Sequence, residues 1–505
     1  MNPSTHRSPI PTFHRIRGIS WGQFQGLLLA IALGSGFLGL IFWQTGALVQ
    51  LGAQQYSILL TALIVLNFAP AIIELISKRF DPFDAKHLFL VYFFLVFVLP
   101  GICKVWLDYD PTPAFAVNEP SDSLRIRALS AILLCLAAYI AGCYLPIGTW
   151  VGRVLPCLPT VSRHRAQCIA FAGIAIGFTT FVLFMRVNGG LESFLANRES
   201  WRTLGVLSGV GYFTFPMAIV LPVSSLLLVL ASISDSRHRR HWGTRVAMGI
   251  AIASLIPALI LGFRGDLVYA LLAFLAAWHY AYRRFSLVKV AALAAGFAIA
   301  ITVYGVLREI NEETPASSEN ARRALLFRIA GLDTVERVIW RLDQGEPYRG
   351  YLPVLLESTT VTVPRALWSN KPVSSGLIFD DIFLFDYFIA RGDPIDGLKS
   401  GLSATLIGES LWIGGLPFAG GCLFALGVLA RILVVWRQRG HLLHIFIYAI
   451  FMAKYALFVE VLQNVLNFYA LLSIMALGMV LALTIRQGRG KGLTTRAGGR
   501  AFEAT

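Results

Sequence analysis

Apolar runs of roughly twenty residues recur along this chain, separated by short polar stretches. A helix of that length crosses the hydrocarbon core of a bilayer, and in lipid a helix satisfies every backbone N–H and C=O within its own segment. The pattern predicts twelve spans, at residues 24–43, 56–77, 88–106, 127–147, 167–185, 209–233, 246–263, 266–282, 286–306, 404–430, 442–459 and 464–485. One connection breaks the economy of the rest, because residues 307–403 separate the ninth span from the tenth. The expected fold is an all-α polytopic membrane protein in four parts: 1–306 with spans one to nine and short loops, 307–403 as one large loop, 404–485 with spans ten to twelve, and 486–505 as a basic tail.

Composition agrees, with 56% of the 505 residues hydrophobic and a mean hydropathy of +0.67. Arg15 and Arg17 precede the first apolar run and no small-residue cleavage site follows its core, so this helix reads as an uncleaved signal-anchor. Of the 43 Lys and Arg, 24 fall in the two tails and the loops at 78–87, 148–166, 234–245, 281–289 and 431–440, against 7 in the short loops of the opposite face. Short cytoplasmic loops retain positive charge, so both termini are expected in the cytoplasm and 307–403 on the outer face. The formal charge of +15 is then a topology signal, and nucleic acid is not an expected partner. Cys103, Cys135, Cys143, Cys157, Cys168 and Cys422 lie in or beside spans without ligand spacing, so they read as apolar packing and no metal site is expected.

The large loop is too rich in Trp, Tyr, Phe and Ile for a solvating linker, and is expected to fold over the outer mouth. Its stretch 321–345 repeats Leu325, Ile329, Leu332, Val335, Ile339 and Leu342 near helical spacing and predicts two short interfacial helices. Gly331 suits a stop between them, and Asp333 with Glu336 suits a capping box that opens the second. Arg337 and Arg341 then share one face, either toward a ligand or toward water and headgroups. Pro364 and Pro372 next force an extended stretch presenting Arg365, Trp368 and Lys371. The aromatics and carboxylates of 379–401 fit a carbohydrate site or a small packed domain, and Ser403 suits the cap of the tenth span.

Ionisable residues at membrane depth are costly, so each asks for a reason. Glu74 is placed to snorkel toward the cytoplasm, Lys454 could pair with Glu409 or Glu460 or mark a substrate path, and Glu409 follows the start of span ten. Arg264 and Asp266 form a hairpin tip between spans seven and eight, where the guanidinium matches phosphate geometry or the pair simply makes a turn. A second outer loop, 186–205, carries Arg198 and Arg202. All nine histidines fall in cytoplasmic segments or cytoplasmic span ends, which leaves no His base on the outer face.

Four stretches then carry a resemblance: NGGLESFLANR, GFRGD, VPRALWSNKP, and SATLIGESLWIGGLPFAGG. With the hydrophobic pattern across nearly the whole chain, they make it similar to the bacterial Wzy-type O-antigen polymerases, the oligosaccharide repeat-unit polymerases. The resemblance implies a glycosyltransferase of the bacterial inner membrane that joins undecaprenyl-diphosphate-linked repeat units on the periplasmic face into O-antigen or exopolysaccharide. It implies that lipid-linked oligosaccharide as substrate, the bilayer as surroundings, a polysaccharide chain-length regulator as candidate partner, and no cofactor. On this reading Arg264, Arg308, Arg365 and Lys371 hold the diphosphates, Arg198, Arg202, Arg337 and Trp368 serve the sugars or the second loop, and Glu409 is the general base with Asp266 in reserve. The rivals are an O-antigen ligase, whose large outer loop characteristically carries a functional histidine absent here, and a lipid-linked oligosaccharide flippase, which would show repeat symmetry, broken helices and intramembrane charge.

Overall fold

Apolar sequence becomes helix throughout the residues that the computed structural model describes, namely 21–46, 53–106, 122–158, 161–196, 220–233, 242–261, 264–293, 296, 331–360, 368 and 405–455. No strand occurs among them. The helices are α1 (Trp21–Gly46), α2 (Ala53–Ile76), α3 (Ala85–Phe93), α4 (Leu99–Trp106), α5 (Asp122–Tyr144), α6 (Pro146–Val154), α7 (Arg163–Val187) and α8 (Gly190–Ala196). They continue with α9 (Leu221–Ile233), α10 (Trp242–Ala253), α11 (Ile256–Leu261), α12 (Arg264–Ala281), α13 (Gly331–Asp343), α14 (Tyr351–Thr360), α15 (Leu406–Arg437) and α16 (Leu442–Tyr455). A π-turn, Phe94–Val98, joins α3 to α4.

Six helices are long and apolar enough to cross a membrane: Gly22–Gln44, Gln54–Ile76, Ala85–Lys104, Asp122–Tyr144, Arg163–Val187 and Leu406–Arg437. They coincide with the first five expected spans and the tenth. Shorter apolar helices, Leu221–Ile233, Thr244–Ala253, Val268–Ala281 and Leu442–Ala453, overlap expected spans six, seven, eight and eleven. The expected spans at 286–306 and 464–485 lie largely or wholly outside the described residues. The seventh span is not continuous, since turn residues Ser254 and Leu255 separate α10 from α11.

α5 is the central helix, and α1, α2 and α15 pack around it. Two glycines set its distance from α15. A Cβ on Gly142 would stand 2.2 Å from the Phe424 carbonyl oxygen, and one on Gly427 would stand 2.1 Å from that of Tyr139. Without a hydrophobic difference between lipid tails and side chains, such close backbone approach is what holds membrane helices together. The same seam continues into α6, where Gly148 meets Arg431 and Gly152 meets Val435. α7 and α9 pair in the same way, Gly173 against Ser224 and Gly177 against Leu221.

The bundle has two ends. Residues 74–87, Tyr144, His279, Tyr280, Arg437 and Tyr448 meet at one, the Asp81 end. The opposite, Glu409 end gathers the last turns of α1 and α4, the first turns of α2, α5 and α15, and the whole of α13.

α15 is two helices in one. Gly415 sits at φ 73°, ψ −170°, a region open to glycine alone, and breaks the helix after Ile413. The carbonyls orphaned by the break are not left bare, because the Arg349 N–H donates to the Trp412 oxygen at 3.0 Å and the Gly350 N–H to the Ile413 oxygen at 3.1 Å. Thr405 caps α15, its hydroxyl accepting from the Gly408 N–H at 3.2 Å, so the cap is two residues beyond the expected Ser403. Thr405 does so at φ 54°, a strained position for a β-branched residue.

Candidate functional site

The Glu409 end is built around α13. Its apolar positions Leu332, Val335, Val338 and Ile339 are fully buried, and so are Asp333, Glu336 and Arg337 between them. The expectation of a surface-lying interfacial helix is therefore corrected: this helix is inserted among π-turn, α4, α5 and α15, and it buries its polar face too. Gly331 is the first described residue of this helix, and the earlier helix it was expected to stop falls on 321–330, outside the described residues. Its lack of a side chain lets the N-terminus press on the π-turn, where a Cβ would stand 2.7 Å from the Val96 carbonyl oxygen. Asp333 lies in the first turn, not at the cap, and its carboxylate takes the ammonium of Lys104. At the other end of α13, Arg127 grips Asp343 through both guanidinium nitrogens, at 2.6 and 3.1 Å, and lies over the Trp43 ring.

Glu409 stands in the first turn of α15, wholly buried beside Ser410. The preceding residue, Gly408, faces Val338 and Thr334 of α13, where a Cβ would find them at 3.5 and 3.6 Å. Glu409 and Arg337 thus sit next to the contact between their two helices. Cys422, beyond the Gly415 break, lies within electrostatic reach of Glu409, so the first turns of α15 fold back toward its long part. Tyr56, Arg125 and Glu336 form a second charged group at this end, each within electrostatic reach of the next.

The other expected site residues distribute as follows. Arg264 and Asp266 belong to the first turn of α12, which starts at Arg264, so the three residues are helix rather than hairpin loop. α12 packs chiefly on α16 and α9, away from the contact of α13 with α15. Trp368 is exposed. Arg198, Arg202, Arg308, Arg365 and Lys371 lie outside the described residues.

Sequence reading missed the Asp81 end. Glu74 does not snorkel: it is 3% exposed and bonded to Lys86 at 2.8 Å and to the Tyr144 hydroxyl at 3.0 Å, with His87 Nε2 3.2 Å away. The His87 Nδ1 lies 2.8 Å from the Asp81 carbonyl oxygen, and its ring stacks on Phe80. Asp81 in turn takes Arg437 at 3.2 Å and the Tyr280 hydroxyl at 2.9 Å, with His279 Nε2 at 3.5 Å. The Arg437 guanidinium lies against the rings of Tyr280 and Tyr448, and the Tyr448 hydroxyl both donates to the Phe83 carbonyl and accepts from the Ala85 N–H. Asp84 caps α3 by accepting from the Lys86 N–H. Burial alone would raise its carboxyl, but the charges of Lys86, His87 and Arg437 outweigh that and hold it down at about 2. The signal was present as six acids and bases in SKRFDPFDAKH, which charge counting treats only as a positive loop.

Five of the nine histidines, His87, His164, His279, His441 and His444, are described, and all belong to the Asp81 end. No cluster of His, Cys, Asp and Glu among the described residues could hold a metal ion. Cys135 and Cys143 are buried as apolar packing predicts, whereas Cys157 and Cys168 are exposed. No family model, curated protein or solved structure matches the chain.

Proposed function

We propose that this chain is a membrane glycosyltransferase that polymerises undecaprenyl-diphosphate-linked repeat units on the periplasmic face of a bacterial inner membrane. The observation that carries the reading is the burial of Glu409 and Arg337 beside one helix contact, at the end of the bundle opposite the positive loops. The charge bias puts the Asp81 end in the cytoplasm and the Glu409 end outside. Twelve spans and a folded outer loop, of which α13 and α14 are part, complete the proposed topology.

In the proposed step the acceptor sugar hydroxyl gives its proton to Glu409 as its oxygen bonds to the donor's anomeric carbon. The bond from that carbon to the diphosphate breaks, and undecaprenyl diphosphate leaves with the electron pair. Arginines fixed before the reaction stabilise the charge that develops on the leaving group. Arg264, Arg308, Arg365 and Lys371 are proposed for that role. Access to Glu409 requires α13 or the 345–351 segment to part from α15, and the Gly415 break with the strained Thr405 supplies the hinge.

The flippase reading draws support from the same break, since discontinuous helices at buried polar sites serve alternating access. A gel of surface polysaccharide from a deletion strain separates the two. A single repeat unit on the core that becomes a ladder on complementation supports polymerisation. Accumulation of lipid-linked single units in the cytoplasm supports the flippase, and lipid-linked polymer absent from the core supports the ligase. Glu409→Gln that still makes a full ladder at normal protein level removes Glu409 from the chemistry.

A further inference from the structure

α6 is built with its apolar face turned away from the protein. Gly148 and Gly152 press on α15, where their missing Cβ atoms would stand 2.7 Å from Arg431 Cβ and 3.0 Å from Val435 Cβ. Ile147, Trp150 and Val154 point the other way, and Trp150 and Val154 are each 67% exposed. Positions i, i+3 and i+7 make one stripe of a helix. An apolar stripe turned outward beside apolar spans needs a lipid surface to cover it, and tryptophan is the residue that settles at headgroup depth. Trp242, at the start of α10, is exposed too.

Among the described residues, two arginines bond to this helix. Arg431 Nε donates to the Thr149 hydroxyl at 2.9 Å, and Arg439 Nη2 donates to the carbonyls of Gly152 and Arg153 at 3.0 Å each. Both arginines hold α6 in place, Arg439 by closing its C-terminal carbonyls. Arg153 is exposed on the helix itself, and Arg163 and Arg165 open α7 after a short connection. No Asp or Glu occurs between Asp122 and Glu192, nor between Glu409 and Glu460, so the chain segments that form this patch bring no acid of their own.

We propose that α6 and its arginines form a binding site for an anionic phospholipid of the leaflet at the Asp81 end. The headgroup phosphate binds Arg153 with Arg431 and Arg439 behind it, and the acyl chain lies on Ile147, Trp150 and Val154. The site is independent of the glycosyl-transfer reading.

The test is native mass spectrometry of the full chain in detergent, titrated with phosphatidylglycerol, phosphatidylcholine and inorganic phosphate. Phosphatidylglycerol should bind at least tenfold more tightly than phosphatidylcholine. Arg153→Gln should cut that preference about fivefold, the effect of one surface arginine on an anionic lipid. Trp150→Ala should weaken both lipids together. Both side chains are exposed, so the variants should elute like the wild type. Equal binding of the two lipids overturns the proposal, as does an Arg153→Gln variant that keeps the full preference. Phosphate alone competing away the bound phosphatidylglycerol at millimolar concentration would assign the patch to a free anion and overturn the lipid site.

Discussion

If α13 is inserted in the bundle, its two ion pairs must differ in worth, and Lys104 with Asp333 is the pair to break. The Lys104 side chain is 9% exposed and that of Asp333 is 0%, whereas Arg127 and Asp343 are 20% and 43% exposed. Removing one member of a buried pair leaves the other charged and poorly solvated, at a cost of about 3–5 kcal/mol. An exposed pair is worth about 0–1 kcal/mol. The two halves of the buried pair should also differ from each other. Lysine has a long stem and sits near the end of α4, so in Asp333→Asn its ammonium can move toward the interface. Aspartate is short, so its carboxylate cannot follow and stays in the buried site.

We therefore expect Lys104→Met to cost about 3 kcal/mol or more and Asp333→Asn about 1–2 kcal/mol, reasoning from the burial of each partner. The double variant should recover about 2 kcal/mol of the sum, and Asp343→Asn should cost under about 1 kcal/mol. Unfolding by SDS titration in mixed micelles gives all four free energies. Additive losses below about 1 kcal/mol for Lys104→Met and Asp333→Asn would return α13 to the surface, as its Arg-bearing sequence first suggests. The placement of Glu409 beside α13 would then have no basis.

Three further outcomes follow. Gly427→Ala puts a methyl 2.1 Å from the Tyr139 carbonyl and 2.9 Å from the Cys143 nitrogen, both backbone, so α5 and α15 must separate. The expected loss is about 1–3 kcal/mol, while Gly421→Ala, which meets nothing within 4 Å, should be neutral or slightly stabilising in the same titration. Asp84 has its carboxyl held at about 2, below its ordinary 3.8, so its contribution is complete above pH 4 and is lost as pH falls through 2. That amounts to about 2 kcal/mol, and thermal midpoints at pH 5 and pH 2.5 should lie closer together in Asp84→Asn than in the wild type. Glu409→Gln should abolish polymer on the surface-polysaccharide gel without lowering protein level, the isosteric change keeping the packing of the first turn of α15.

What the sequence made legible was set by length and polarity. A run such as 127–147 has one solution in lipid, and α5 appears within a few residues of it. Thr405 took the cap from Ser403 because a capping hydroxyl is recognised by its distance to an N–H, and two hydroxyl residues, Ser403 and Thr405, lie two positions apart. α13 was read correctly in period and wrongly in place. Amphipathicity says which positions are polar, but a charged face is buried when charged partners are brought to it, and Lys104 is 229 residues away from Asp333. The Asp81 end was missed for the same reason. Its partners come from α2, α3, α5, α12, α15 and α16, and no window of sequence contains more than a few of them.

The two ends also differ in how their charge is resolved, and the difference bears on where chemistry belongs. At the Asp81 end Glu74, Asp81 and Asp84 each have a cation within about 3.2 Å, and the tyrosines of three helices close the remaining positions. Such a network specifies one arrangement of helices and resists opening. The Glu409 end combines buried charge with a broken helix, a β-branched residue at positive φ and a close glycine seat for α13. Strain of this kind persists only where the surroundings enforce it, and it gathers where a protein must open. A rigid latch on one face and a strained, charged seat on the other would let substrate enter beside Glu409 without loosening the bundle. Accordingly, amide exchange should be slow across 74–90 and 437–450 and measurably faster across 331–343 and 405–416. Uniform protection at both ends would deny the hinge that the proposed access to Glu409 requires.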